Sequence, residues 1–144
     1  MTFDKEKILQ YCNEISKNTL MQTLNIEYVD AGPDYLTATM PVNPSVHQPM
    51  GLLHGGASVA LAESVGSAAS FLFVNPEHSE VRGIEISANH VKAKRNGMVT
   101  ATARIIHQGS SVHLWEIRIT DEKESLISIC KLTTMILPKR KSKE

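Results

Sequence analysis

From Leu52 to Val74 the chain reads LLHGGASVALAESVGSAASFLFV, small or apolar at nearly every position, with only His54 and Glu63 able to titrate. Such a run predicts one long helix, apolar on nearly every side and therefore packed inside the molecule rather than laid on its surface. It leaves the Glu63 carboxylate near the middle of a buried helix, where desolvation is costly unless something pairs with the group or uses it. Upstream, Asp4 to about Lys17 has the period of a short amphipathic helix, with Ile8, Tyr11, Cys12 and Ile15 on one face. Leu24–Asp30 and Tyr35–Pro41, separated by Gly32-Pro33-Asp34, form a hairpin pattern, and Asn43–Met50 reads as an irregular loop. Beyond Asn75-Pro76 the period changes to that of strands: Val81–Lys92, Met98–His107, Val112–Thr120 and Ser125–Leu137. Arg95-Asn96-Gly97, Gln108-Gly109-Ser110 and Asp121-Glu122-Lys123-Glu124 are the turns between them. The order hairpin, buried helix, four-strand antiparallel meander is that of an α+β chain.

A helix apolar all round needs cover on all sides. An antiparallel sheet curling around it supplies one side and a second copy of the protein the other, so at least a dimer is expected. The 144 residues suffice for one domain with a real core. Residues 1–138 are expected to form it, with KRKSKE (139–144) as a disordered basic tail. Lys plus Arg and Asp plus Glu number 15 each, so there is no basic excess to suggest nucleic-acid binding. Cys12 and Cys130 lack metal or CxxC spacing, and two separate thiols in a reduced, cytoplasmic protein fit better than one disulfide. The charged start MTFDKEKILQ has no signal-peptide pattern, and the glycines, serines and Glu63 make the long apolar run too polar to span a membrane. No His, Cys, Asp and Glu set has metal-ligand spacing, and no GxGxxG or P-loop occurs, so no metal and no tightly held cofactor are expected.

The candidate chemistry centres on Glu63. On an ideal helix Gly56, Glu63, Ser67 and Ser70 fall on one stripe, with Ser67 one turn beyond the acid and able to hydrogen-bond it or a water it activates. Glu63 reads either as a nucleophile or general base or as half of a structural ion pair. His54-Gly55-Gly56 at the helix start reads either as a tight turn or as a site where free amides and the positive end of the helix dipole hold an oxygen gaining negative charge. Gly55 and Glu63 are eight residues apart, about 12 Å of axial rise. An oxyanion donor must lie about 3 Å from its oxygen, and an attacking group must be similarly close to the carbonyl carbon. One helix can hardly deliver both. Two helices packed antiparallel would bring Gly55 of one chain near Glu63 of the other, giving composite sites at a dimer interface.

His47 to Ser64, HQPMGLLHGGASVALAES, resembles the signature of hotdog-fold acyl-CoA thioesterases, and the likeness extends from about Thr19 to Leu137 through MPVNPSVHQP, GIEISANHVK and WEIRITDE. The similar branch hydrolyses aromatic acyl-CoAs such as 1,4-dihydroxy-2-naphthoyl-CoA and 4-hydroxybenzoyl-CoA, and aryl-carrier-protein thioesters. The resemblance implies a long helix wrapped by a curved antiparallel sheet, in dimers that often pair into tetramers. It implies that the Gly55 amide and the Gln48 side chain polarise the thioester carbonyl, that Glu63 attacks it or activates water, and that His54 and Ser67 assist. Gly56, Ser64 and His90 are then expected to touch substrate. Where similar proteins carry a second His, then Arg and Pro, after the His90 position, this chain has Val91, Lys92 and Ala93. Lys92 keeps a positive charge for a coenzyme A phosphate, with Arg82, Lys94, Arg95 and the tail as further cations. A menaquinone-pathway substrate follows from the same resemblance. The alternatives are a hotdog hydratase or dehydratase and a non-catalytic acyl-CoA sensor.

Overall fold

The computed structural model describes residues 2–141. Helix α1 (Lys5–Ile15) starts where the Asp4 carboxylate accepts from the Lys7 N–H at 3.2 Å, satisfying one of the orphan amides of its first turn. A short α2 (Leu20–Thr23), capped by Thr19, follows; no periodicity announces so short a helix. Strands β1 (Glu27–Ala31) and β2 (Tyr35–Val42) form the expected hairpin, closed by the Gly32 N–H to the Tyr35 carbonyl at 3.0 Å. On β2 the residues Leu36, Ala38, Met40 and Val42 are buried, the alternation of a strand with one face inward.

The central helix α3 (Gly55–Ala69) is shorter than the apolar run. Leu53 is held in a bridge with His47, and the far end tightens into a 3-10 turn at Ser70–Leu72. Beyond it lie β3 (Ser79–His90), β4 (Gly97–Gln108), β5 (Val112–Thr120) and β6 (Leu126–Pro138). All six strands are antiparallel in one sheet, in the order β1-β2-β4-β5-β6-β3. The four-strand meander is thus corrected to three, β4-β5-β6. β3 lies beyond β6 at the edge, and Arg95-Asn96-Gly97 closes no hairpin. Instead, 91–96 crosses the ends of β6 and β5. It is tied there by the ion pairs Lys92–Asp121 (3.1 Å) and Lys94–Glu122, and by the Leu53 N–H to the Lys94 carbonyl (2.7 Å).

The sheet touches α3 through β2, β3, β4, β5 and β6, so it wraps one side of the helix. Leu61, Ala62, Val65 and Ala69 pack against Leu36, Met40, Trp115, Ile117, Ile119 and Leu132 in one core. Each large side chain buried there contributes about 1.5–3 kcal/mol. The C-terminal end of α3 meets a buried polar knot. The Ser70 hydroxyl accepts from Trp115 Nε1 at 2.9 Å and also bonds His113 Nδ1 (3.1 Å) and Thr134 Oγ1 (2.8 Å). Ser70 therefore leaves the stripe expected of it. At that residue the helix turns 3-10, and the hydroxyl faces the sheet. Tyr11 and Ile15 are also more exposed than one amphipathic face implies, at 41% and 43%.

Candidate functional site

The loop before α3 is built by local turns. Gln48 N–H donates to the Leu52 carbonyl (2.8 Å), Gly51 N–H donates to the Gln48 carbonyl (3.0 Å), and the Gln48 side-chain oxygen accepts from the Met50 N–H. That contact fixes the Gln48 amide with its NH₂ group left to donate elsewhere. His54 is the N-cap of α3, its Nδ1 accepting from the Gly56 N–H at 2.7 Å. An Nδ1 that accepts places the ring proton on Nε2. Ala57 and Ser58 amides donate to the His54 carbonyl at 3.0 and 3.2 Å. Among the described residues the Gly55 N–H has no acceptor, so it alone of these first-turn donors remains open. The cap occupies the Gly56 amide.

Gly55 also allows a close approach. A Cβ there would lie 2.7 Å from His90 Nε2, so the His90 ring sits directly against the helix start. The other ring nitrogen, Nδ1, bonds the buried Ser128 hydroxyl at 2.7 Å. His90 thus reaches the Gly55 end of α3, on the same strand parity as Ile86 and Ala88. Ile84 breaks that parity and is 52% exposed, because a bulge between Gly83 and Glu85 shifts the register of β3.

Glu63 lies about two turns along the same helix, with its carboxylate against Gly83 of the edge strand β3. In the single chain it is half-buried, not fully buried as expected, since α1, α2 and β3 flank it without closing it off. It lines a mainly apolar cleft of about 270 Å³ with Ser64, Ser67, Ala68 and Phe71 from its own helix and the turn beyond. Ile15, Met21, Tyr28 and Val81 complete the walls. Tyr28 donates its hydroxyl to the Ser64 carbonyl (3.1 Å), and the Ser64 hydroxyl donates to the Ala60 carbonyl (2.6 Å). Ser67 shares the cleft with Glu63, as the helical spacing predicts. Gly55 and Glu63 stay apart within one chain, eight residues of helix being about 12 Å. Two sites emerge, one at each end of half a helix.

Three of the expected phosphate-binding cations, Lys92, Lys94 and Arg82, are already paired. Lys92 meets Asp121, and Arg82 meets Glu80 at 3.0 Å. The Arg82–Glu80 pair is exposed and holds its partner weakly, whereas the Asp121 side chain is only 8% exposed. The Ser125 N–H first, then Lys92 and the Lys123 N–H, hold the Asp121 carboxyl below the usual range. Lys94 and the Met98 N–H bring Glu122 down to about 2. Among the described residues Arg95 makes no ion pair, and its guanidinium lies 3.9 Å from where a Gly51 Cβ would be. Among those residues no group of three His, Cys, Asp or Glu could hold a metal ion, and no helix is long and apolar enough to cross a membrane. Sequence reasoning missed Met21, Tyr28, Phe71, Val81 and Ser128. They come from five different elements, and only the fold brings them to these ends of α3. A lone glycine inside the strand pattern, Gly83, was the one readable signal.

One helix held in a single antiparallel sheet that touches it from β2 to β6 is the hotdog fold. A family model described as Thioesterase superfamily matches residues 50–128. The 1,4-dihydroxy-2-naphthoyl-CoA hydrolase of Escherichia coli is 43% identical over 137 residues, 95% of this chain and 100% of that protein. The proofreading thioesterase EntH of Cronobacter turicensis is 42% identical over 137 residues, 95% of this chain and 99% of that one. A crystal structure of a glutamine-to-alanine variant of a Pseudomonas aeruginosa thioesterase superposes with a TM-score of 0.89 at 42% identity, covering 96% of this chain and 97% of that one. A Staphylococcus aureus thioesterase, solved once with a glutamate and once with a glutamine changed to alanine, superposes with a TM-score of 0.81 at 39% identity. Those alignments cover 83% of this chain and 99% and 98% of the S. aureus chains. The chain belongs to the thioesterase superfamily, and its chemistry is thioester hydrolysis.

Proposed function

We propose that the protein hydrolyses an aromatic or bulky acyl-CoA, with 1,4-dihydroxy-2-naphthoyl-CoA the first substrate to try, at composite sites shared by two copies of the chain. The observation that carries this reading is the open Gly55 N–H at the positive end of α3, with the Gln48 amide in the preceding loop left free to donate. Both would donate to the thioester oxygen as it gains charge. Glu63 of the second copy would supply the attack. Acting as a general base it takes a proton from water, the water oxygen bonds the acyl carbon, the C–S bond breaks, and the thiolate leaves and is protonated. Acting as a nucleophile it forms an anhydride that water then opens. In the S. aureus relative the altered glutamine and glutamate are fifteen positions apart, the separation of Gln48 and Glu63 here. His54, through Nε2–H, and His90 border the oxyanion end; Ser64 and Ser67 border the acid. Lys92 and Arg82 would exchange their carboxylate partners for coenzyme phosphates.

In this reading residues up to 138 act as one domain, dimers pair again, and the enzyme works in the cytoplasm, in menaquinone biosynthesis if the naphthoyl substrate holds. The test is thiol release from a panel of acyl-CoAs. Turnover should be highest with aromatic acyl groups, and Glu63→Ala should lower it by orders of magnitude with the fold and oligomer intact. Near-normal turnover in that variant would overturn the assignment.

A further inference from the structure

Gly83 sits inside β3, where a strand ordinarily carries a side chain, and the backbone does not require glycine. Its φ is not positive; only Gly51 and Gly97 among the described glycines have that conformation. Nor does the core require it, because the residue is exposed. What a side chain would meet is Glu63. A Cβ at this position would lie 2.6 Å from Glu63 Oε1, 3.4 Å from Cδ and 3.5 Å from Cγ, and these are its three nearest atoms. Val81, two residues earlier on the same face, lines the Glu63 cleft. The bulge after Gly83 reverses the face from there on, so Ile84 is turned out and Ile86 and Ala88 turned in. Among the described residues nothing hydrogen-bonds the Glu63 carboxylate, so contact, not a bond, sets where it lies within one chain.

Resting on the reading of Glu63 as the attacking group, we infer that Gly83 is a positioning residue: the missing side chain is a notch in β3 that seats the Glu63 carboxylate. A methyl group would fill the notch. The atoms displaced are the far end of a flexible, half-exposed side chain, which rotates away at little cost in stability. Catalysis has no such tolerance, since misplacing a reacting group by about 1 Å can cost about 100-fold in rate.

The experiment compares Gly83→Ala, Glu63→Ala and the double variant in the full chain, by steady-state thiol release, thermal melting and size-exclusion chromatography. For Gly83→Ala, kcat should fall by about 100-fold, KM should stay within about twofold, and melting temperature and elution should match the parent. In the Glu63→Ala background the second change should alter nothing, because the atoms it displaces are gone. Unchanged kcat in Gly83→Ala overturns the inference. So does a loss that comes with lower melting or dissociation, which would make the glycine a need of the strand or interface, and so do losses that multiply in the double variant. If Glu63→Ala alone keeps its turnover, the reading of the acid falls and this inference with it. If Glu63→Ala is dead and Gly83→Ala active, only the inference falls.

Discussion

At the scale of single residues, two glycines matter for the space they leave rather than for unusual backbone angles. At Gly83 the space is filled by the Glu63 carboxylate, at Gly55 by the His90 ring. The two differ in what must yield. His90 is tethered by Ser128, so a methyl group at Gly55 meets a ring with less freedom to leave. Gly55→Ala should therefore cost stability as well as activity, about 1–3 kcal/mol as for other overpacked sites. Chemical denaturation would read this, and adding His90→Ala should recover most of the loss. An unchanged midpoint would show that the ring swings aside freely. The cysteines bear on assay design. Burial pushes the Cys12 and Cys130 thiols up to about 11, which keeps them poorly reactive toward the dyes that report released coenzyme A.

At the scale of elements, α3 is held differently at its two ends. The N-terminal end keeps one amide open, while the C-terminal end closes on the knot of Ser70, His113, Trp115 and Thr134. Burial, then the nearby His107, holds His113 below the ordinary histidine value, so the folded protein keeps it neutral. In the unfolded chain it takes up a proton near pH 6.5. Below that pH the unfolded state binds more protons than the folded one, so this contribution to stability is present above about pH 6.5 and lost on acidification. Melting temperature should fall more steeply from pH 7 to pH 5 in the parent than in His113→Gln. Parallel curves for the two proteins would remove His113 as the cause. The two-ended arrangement leaves the N-terminal end of α3 as the less constrained one.

At the scale of the whole molecule, the separation of Gly55 from Glu63 along one rigid helix bears on assembly. No rotation of side chains closes about 12 Å within a chain, so the composite site we propose would need a second α3. Gln48→Ala and Glu63→Ala proteins should each be inactive alone. Unfolded together and refolded, half of the dimers would be mixed, and each mixed dimer would hold one site with neither change. The mixture should regain about a quarter of parental activity. No recovery would place both residues in the site of one chain.

Local spacing along the chain was enough to mark most of the elements. Periodicity marked α3, the β1–β2 hairpin and three strands of the meander, because burial on one face writes itself into local spacing. The HGG run and the acid eight positions on were legible for the same reason: helix geometry converts spacing into relative position. Tertiary structure alone decided where β3 lies. A short loop between two strand patterns looks like a hairpin, yet β3 pairs with β6, and the ladder of a distant strand leaves no local trace. It alone decided that the Gly56 amide is spent on the His54 cap while that of Gly55 is not, and that the notch at Gly83 faces Glu63. These are contacts between residues far apart in the chain or choices among equivalent donors, and no local pattern of apolar and polar positions encodes either.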